Sequence, residues 1–445
     1  MPGCEDSAAQ AGPSCIASSI SLPSPERSTT FGPSRRTRSF RSPTSRRSWD
    51  CLATEPFDCF AIAAPGLEPI VARELNALGE RPRIEDGGVS WRGDAHSMMR
   101  ANLWLRAASR VIIRLAQFRA TAFFELEKRA KRIPWSQFLA PGQAAEFRVT
   151  AKKSRLYHSD AIAERLQKAV GFGLWAQGKS SQRKAQGPQP VAYSPPRAHS
   201  PQLFVVRVFH DDFTISVDTS GELLHMRGYR QAVGKAPLRE TLAAALLLAA
   251  DWDGTAPLLD PFCGSGTIPI EAALIARRMA PGLQRRFAFM EWPNFDAKVW
   301  RRLTEAAKNA ALASSPALIL GSDRDAGAIA ASRANSERAG VSADIEFQTR
   351  AISAIEPPAT PGLVATNPPY AVRVGEGSTI RNLYARFGQV LRTRCSSWRT
   401  AFYSPDPRLA AEIGHPFLEL FRTTNGGIKV AALLVDAATN GLERP

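Results

Sequence analysis

Residues 367–370 read Asn-Pro-Pro-Tyr, directly after the apolar run "GLVAT". Two successive prolines fix φ at about −65°, and the residue ahead of a proline is pushed into an extended conformation. The segment therefore carries an amide and a flat ring on a rigid elbow. An exocyclic NH2 on a base offers two hydrogens, which the Asn367 side-chain oxygen and the Pro368 carbonyl are suited to accept. Pro369 stiffens the turn, and Tyr370 offers a face for stacking. Such an elbow fits chemistry on a planar amino or amide nitrogen. It does not choose the molecule that carries that nitrogen.

A second reactant has to come close to the elbow, and "LLDPFCGSGTIPIEAAL" at 258–274 has the make-up of its site. An apolar strand ends in Asp260 and Pro261, then Gly264, Ser265 and Gly266 form a turn, and Thr267 opens a helix. Glycines at a first βα turn let the backbone approach a ligand. The pattern is neither GxGxxG nor a P-loop, since no Lys-Ser/Thr follows, so a nucleoside without a pyrophosphate fits better than a dinucleotide or a triphosphate. "ALILGSDRD" ends a further strand at Asp323, where a carboxylate suits ribose hydroxyls. Asp325 reads as facing solvent or capping a helix rather than as a ligand. Cys263, inside the turn, has no His or metal partner nearby and reads as packing.

These motifs sit in a chain of 445 residues, enough for two or three domains. Apolar residues make up 44% and charged residues 22%, and no apolar run approaches the ~20 residues of a membrane span. Fifty-seven Lys and Arg against 41 Asp and Glu leave a net charge of +16, which favours a polyanionic partner. Much of the excess lies between 100 and 170. Six scattered cysteines without a CxxC pair argue against a disulfide framework and against zinc; a reducing, cytoplasmic setting fits. No metal is expected, and the six His show no triad spacing.

Residues 1–55, rich in Ser, Arg and Pro, read as a disordered tail; a transit segment, a basic tail and an over-long gene start all remain open. Order is expected from 56. A small α+β unit spans 56–117, and a second unit of similar style spans 118–220 with a Pro/Ser-rich insertion at 178–201. From 221 to 445 seven candidate strands alternate with helices and end in a hairpin around "NGG". That pattern predicts an α/β, mostly parallel, doubly wound sheet.

In this order "DPFCGSGT", "GSDRD" and "NPPY" resemble a class I S-adenosylmethionine-dependent methyltransferase. More closely, "SVDTSGELLHMRGYRQAVGKAPLRETLAAALL" followed by "DPFCGSGTIPIEAA" is similar to the THUMP-domain RNA guanine-N2-methyltransferases, over about residues 57–440. The resemblance implies a seven-stranded Rossmann-like methyltransferase sheet behind a ferredoxin-like and THUMP RNA-binding region. It also implies S-adenosylmethionine as cofactor, bordered by Pro237, Leu238, Glu240 and Thr241 at its methionine end. Lys152, Lys153 and Arg155, on a loop entering a helix, would hold RNA as THUMP modules do. One departure concerns adenine: "FQTRAISAI" lacks the acid the family often has after the third strand, which leaves backbone groups to recognise it. The leading expectation is methylation of guanine N2 in 23S rRNA. The alternatives are tRNA, an adenine-N6 or protein-glutamine enzyme with a similar elbow, and a non-catalytic RNA-binding assembly factor.

Overall fold

The structure is a computed structural model that describes residues 56–181, 200–230, 238–370 and 377–437. The tail at 1–55, residues 182–199 of the insertion and Pro237 lie outside the described residues.

The N-terminal half is one seven-stranded sheet. Its strands are β1 (Phe57–Ile62), β2 (Arg83–Glu85), β3 (Gly88–Gly93), β4 (Arg110–Arg119), β5 (Ala145–Lys152), β6 (Gln202–Phe209) and β7 (Asp212–Asp218), in the order β2-β3-β1-β4-β7-β6-β5. Helices α1 (Glu68–Ala77) and α2 (Ala95–Trp104) belong to its first part, α3 (Phe123–Ala130) and α4 (Ser159–Ser181) to its second. The side chain of Asp94 caps α2 by accepting from the Ser97 amide at 2.8 Å, as a short acid should at a helix N-terminus.

The division expected at 117/118 falls inside β4, which pairs with β1 on one side and β7 on the other. The two α+β units therefore share a continuous sheet. β4 is central, and its run "RVIIRLA" has too little alternation to announce a strand, as is usual for a strand covered on both faces. Residues 178–181, expected in the insertion, form the last turn of α4.

The C-terminal half matches the expected alternation. Helix α5 (Glu240–Ala249) leads into β8 (Leu258–Asp260), α6 (Thr267–Ala276), α7 (Ala297–Ala310), β9 (Ile319–Asp323), α8 (Ala326–Ala339), β10 (Ile345–Thr349) and β11 (Leu363–Thr366). Then come α9 (Gly377–Arg394), β12 (Arg399–Ser404), α10 (Pro407–Ala411), β13 (Leu418–Asn425) and β14 (Ile428–Val435). The order is β10-β9-β8-β11-β12-β14-β13, parallel except for β14. The order reverses between β8 and β11, and ligands of open α/β sheets bind at the carboxyl ends of such strands. Both site motifs follow these two strands.

α5 and α6 are apolar nearly all round and are buried along most of their length, as expected of helices enclosed between layers. The junction of the two halves is polar as well. Arg106 donates to the carbonyls of Met279 at 2.6 Å and Leu274 at 3.3 Å, while Glu74 accepts from the amides of Arg106 and Ala107. Arg227 donates to the Arg106 carbonyl at 2.7 Å, and Glu271 of α6 accepts from Arg227 and from the Tyr229 hydroxyl. Buried charges persist only when partnered in this way.

Candidate active site

The glycine turn is fixed from below. Ser332 of α8 donates to the Gly264 carbonyl at 2.7 Å, and Asn335 donates to the Ser265 carbonyl at 3.0 Å. Gly264 has φ +52° and Gly266 φ +82°, the left-handed region that L side chains avoid. A Cβ on Gly266 would stand 3.0 Å from Ser332 and 3.2 Å from the Phe347 ring, so that position is closed. Around Gly264 nothing lies within 4 Å of such an atom, so this backbone faces open space. Pro261 and Thr267 are buried on either side, and Ser265 is half-buried.

Asp323 stands at the end of β9, half-buried. One of its oxygens accepts from the Gly264 amide at 3.0 Å and the other from the Asp325 amide at 3.0 Å. A carboxylate carries about four lone-pair sites, so two remain for ribose hydroxyls. Asp325 caps α8 through the amides of Gly327 and Ala328, one of the two roles expected for it.

Asp260 is only 1% exposed. It accepts from the Thr366 hydroxyl at 2.6 Å and the Phe262 amide at 3.1 Å, which ties the first turn to the end of β11. Burial pushes its carboxyl up to about 7, opposed by those two bonds, while the nearby Asp323 charge adds to the rise. Glu240 and Thr241 are buried at the start of α5. Glu240 pairs with Arg230 at 2.9 Å, and burial lifts it to about 7 against that guanidinium. Leu238 is buried beside them. Cys263 is buried, with its thiol pushed far up by that burial; it packs, as expected, and is no nucleophile.

The elbow leaves the buried end of β11. Asn367 is half-buried, and its Oδ1 is out of water without a hydrogen-bond partner. An acceptor left in this state costs about 1–3 kcal/mol, a cost that a substrate N–H would remove. Pro368 is buried, Pro369 exposed and Tyr370 half-buried. The Tyr370 hydroxyl accepts from Asn425 Nδ2 at 3.2 Å, a partner at the far end of the sheet order.

After β10 the nearest acid, Glu356, is exposed and pairs with Arg350 at 2.8 Å. Lys152, Lys153 and Arg155 lie on the other sheet, all exposed. Their loop is tied to the β6–β7 turn through Asp211, which accepts from the Arg155 amide at 2.7 Å and donates its own amide to Ser154 at 3.0 Å. Sequence reasoning missed two exposed aromatics here, Tyr157 on the loop at 63% exposure and Phe209, the last residue of β6, at 45%. Each follows a buried apolar residue, Leu156 and Val208, so nothing local in the sequence marks the ring as exposed.

An open glycine backbone, an acid with free acceptor sites and an orphaned amide oxygen across the sheet's switch point fit a nucleoside cofactor and an amine substrate. Sheet order and site together define a class I, S-adenosylmethionine-dependent methyltransferase. Residues 227–431 match the RMKL-like methyltransferase domain family UPF0020, and residues 58–112 match the RlmL ferredoxin-like domain. The Synechocystis protein named "Putative RNA methyltransferase slr0064" is 35% identical over 85% of this chain and 96% of its own length. The chain belongs to this RMKL-like methyltransferase family.

"Ribosomal RNA large subunit methyltransferase K/L" of Syntrophotalea carbinolica is 36% identical over 86% of the chain, which spans about half (54%) of that relative's length. Among solved structures, a Listeria monocytogenes protein titled "predicted N6-adenine-specific DNA methylase" has TM-score 0.77 at 32% identity, covering 87% of this chain and 98% of its own. "SMU.472, a putative methyltransferase complexed with SAH" has TM-score 0.76 at 28% identity, covering 88% of this chain and 100% of its own.

Proposed function

We propose that the protein methylates the exocyclic N2 of guanine in RNA, with 23S rRNA as its substrate. The observation that supports transfer to an amino nitrogen is the buried, unpartnered Oδ1 of Asn367 on a proline-stiffened elbow beside the glycine turn, and the choice of guanine in rRNA rests on the named relatives. S-adenosylmethionine supplies a methyl group already activated on a sulfonium. The chain therefore needs no strong base before attack and contributes mainly placement. Asn367 and the Pro368 carbonyl accept the two amine hydrogens, Pro369 holds the turn, and Tyr370 stacks on the base. Water takes the proton that the amine loses.

The cofactor's ribose belongs to Asp323, and its approach to the backbone to Gly264, Ser265 and Gly266. Asp260, Pro261, Thr267, Glu240, Thr241 and Pro237 enclose the methionine end, and backbone groups after β10 take the adenine. Segment 118–220 acts as the THUMP module, where Lys152, Lys153 and Arg155 meet phosphates. Tyr157 and Phe209 give that face rings as well as charge, the combination that holds unpaired nucleotides. The large-subunit rRNA relatives favour rRNA over tRNA. That substrate places the enzyme in the cytoplasm.

The deciding experiment incubates the protein and labelled S-adenosylmethionine with rRNA, tRNA and protein from cells lacking the enzyme, then digests labelled RNA to nucleosides. N2-methylguanosine from 23S rRNA is expected. N6-methyladenosine overturns the guanine assignment, label confined to tRNA overturns the rRNA assignment, and no transfer at all points to a binding factor.

A further inference from the structure

Tyr370 lies on a loop, whereas the group holding its hydroxyl lies on a rigid frame. Asn425 ends β13, is 7% exposed, and pairs in register with Ile428 across the Gly426–Gly427 hairpin. β14 locks β13 to β12, and Phe421, on the same face of β13 as Asn425, packs edge-on against Tyr403 with centroids 6.1 Å apart. The hairpin is also backed by the N-terminal half. A Cβ on Gly66, just after β1, would stand 2.3 Å from the Arg422 carbonyl oxygen, so the two backbones touch.

A tyrosine ring used for stacking has to keep its plane, and a loop alone leaves χ1 and χ2 free to turn. The amide of Asn425, 3.2 Å from the hydroxyl, removes that freedom at the ring's far end. We propose that Asn425 is a positioning residue for methyl transfer: the β13–β14 hairpin sets, through the Tyr370 hydroxyl, the plane on which the target base is stacked. The inference rests on Tyr370 being that stacking surface. Groups that orient a reacting partner act through small displacements that are costly to rate.

The test is a double-mutant cycle with Asn425→Ala, Tyr370→Phe and the pair, reading kcat/KM for RNA together with S-adenosylmethionine affinity and Tm. Each single change should lower kcat/KM about 3–10-fold, the range for one lost neutral hydrogen bond, with cofactor affinity unchanged. The pair should be no worse than either single change. Asn425→Asp, which accepts from the phenol instead of donating to it, should restore most of the rate. Should Asn425→Ala disturb folding, Tyr370→Phe removes the same bond without touching β13. Additive losses, or a rate within twofold of wild type in Tyr370→Phe, overturn the inference. Tyr370→Ala separates the two levels. A kcat/KM unchanged by Tyr370→Ala removes the stacking reading itself, while a large loss with an additive cycle removes only the role of Asn425.

Discussion

The amide of Gly264 donates to Oδ2 of Asp323 at 3.0 Å, joining the first βα turn to the end of the neighbouring strand. The acid proposed to hold the ribose thus also holds the backbone proposed to border the cofactor. Its other oxygen takes the Asp325 amide, so the carboxylate is oriented before any ligand arrives.

Asp323→Ala should accordingly weaken S-adenosylmethionine by ~1–3 kcal/mol, through loss of charge-assisted bonds and release of the turn. Titration calorimetry measures this directly. An unchanged affinity would take Asp323 out of the site.

Asn367→Ala should slow single-turnover methyl transfer by ~10²-fold or more, since a base free to tilt leaves near-attack geometry. Cofactor affinity should hardly move, because the proposed place of Asn367 is against the amine and not the sulfonium. Tyr370→Ala should cost less, ~1–3 kcal/mol in base capture. Transfer at the wild-type rate in Asn367→Ala would mean that the elbow is not the reacting centre.

For the RNA face, Lys152→Ala, Lys153→Asn and Arg155→Ala are combined. Asn at 153 tolerates the φ of +51° that Lys153 adopts. RNA affinity should fall and the slope of log K against log salt should shrink by roughly 2, at ~0.7–0.9 per lost phosphate contact. Tyr157→Ala should weaken binding while leaving that slope intact, because stacking releases no counterions. Equal slopes for the triple variant and wild type would put the RNA elsewhere.

The buried Asp260 predicts a pH effect on stability without ligands. Its folded value near 7 lies above the ordinary 3.8, so the folded state binds the proton more tightly than the unfolded chain does. This contribution is complete below about pH 4 and is lost as pH rises through about 7, by roughly 4 kcal/mol at most. Glu240, lifted to about 7, and Asp218, lifted to about 6, act in the same direction. Urea unfolding of wild type and Asp260→Asn at pH 5 and pH 8 isolates one group: the variant should lose less stability between the two. Identical losses would mean that Asp260 titrates normally.

How much of this was legible in the sequence follows from the range of each interaction. All seven strands of the second sheet were visible, because short apolar runs alternate there with helical stretches and each ends in a turn. The glycine turn and the proline elbow were visible because their conformation is dictated by the residues themselves. β4 was hidden by burial on both faces, which erases the period of two. Asn425 was hidden because its partner lies 55 residues away, and no local pattern encodes that distance. Nothing local sets Arg106 or Glu271 apart from other charged residues, because their partners at the junction are distant in sequence.

That junction limits what can be recombined. Arg106 from the first half reaches carbonyls at Leu274 and Met279, while Arg227 and Tyr229 of the connecting segment converge on Glu271 in α6. A chimera that grafts a foreign first half onto this second sheet would lose the Arg106 bonds to the Leu274 and Met279 carbonyls unless the graft carried its own matching arginine, while the cluster on Glu271 would stay whole. Retargeting this scaffold is therefore better begun on the exposed loops around Lys153 and Phe209 than by exchanging whole halves.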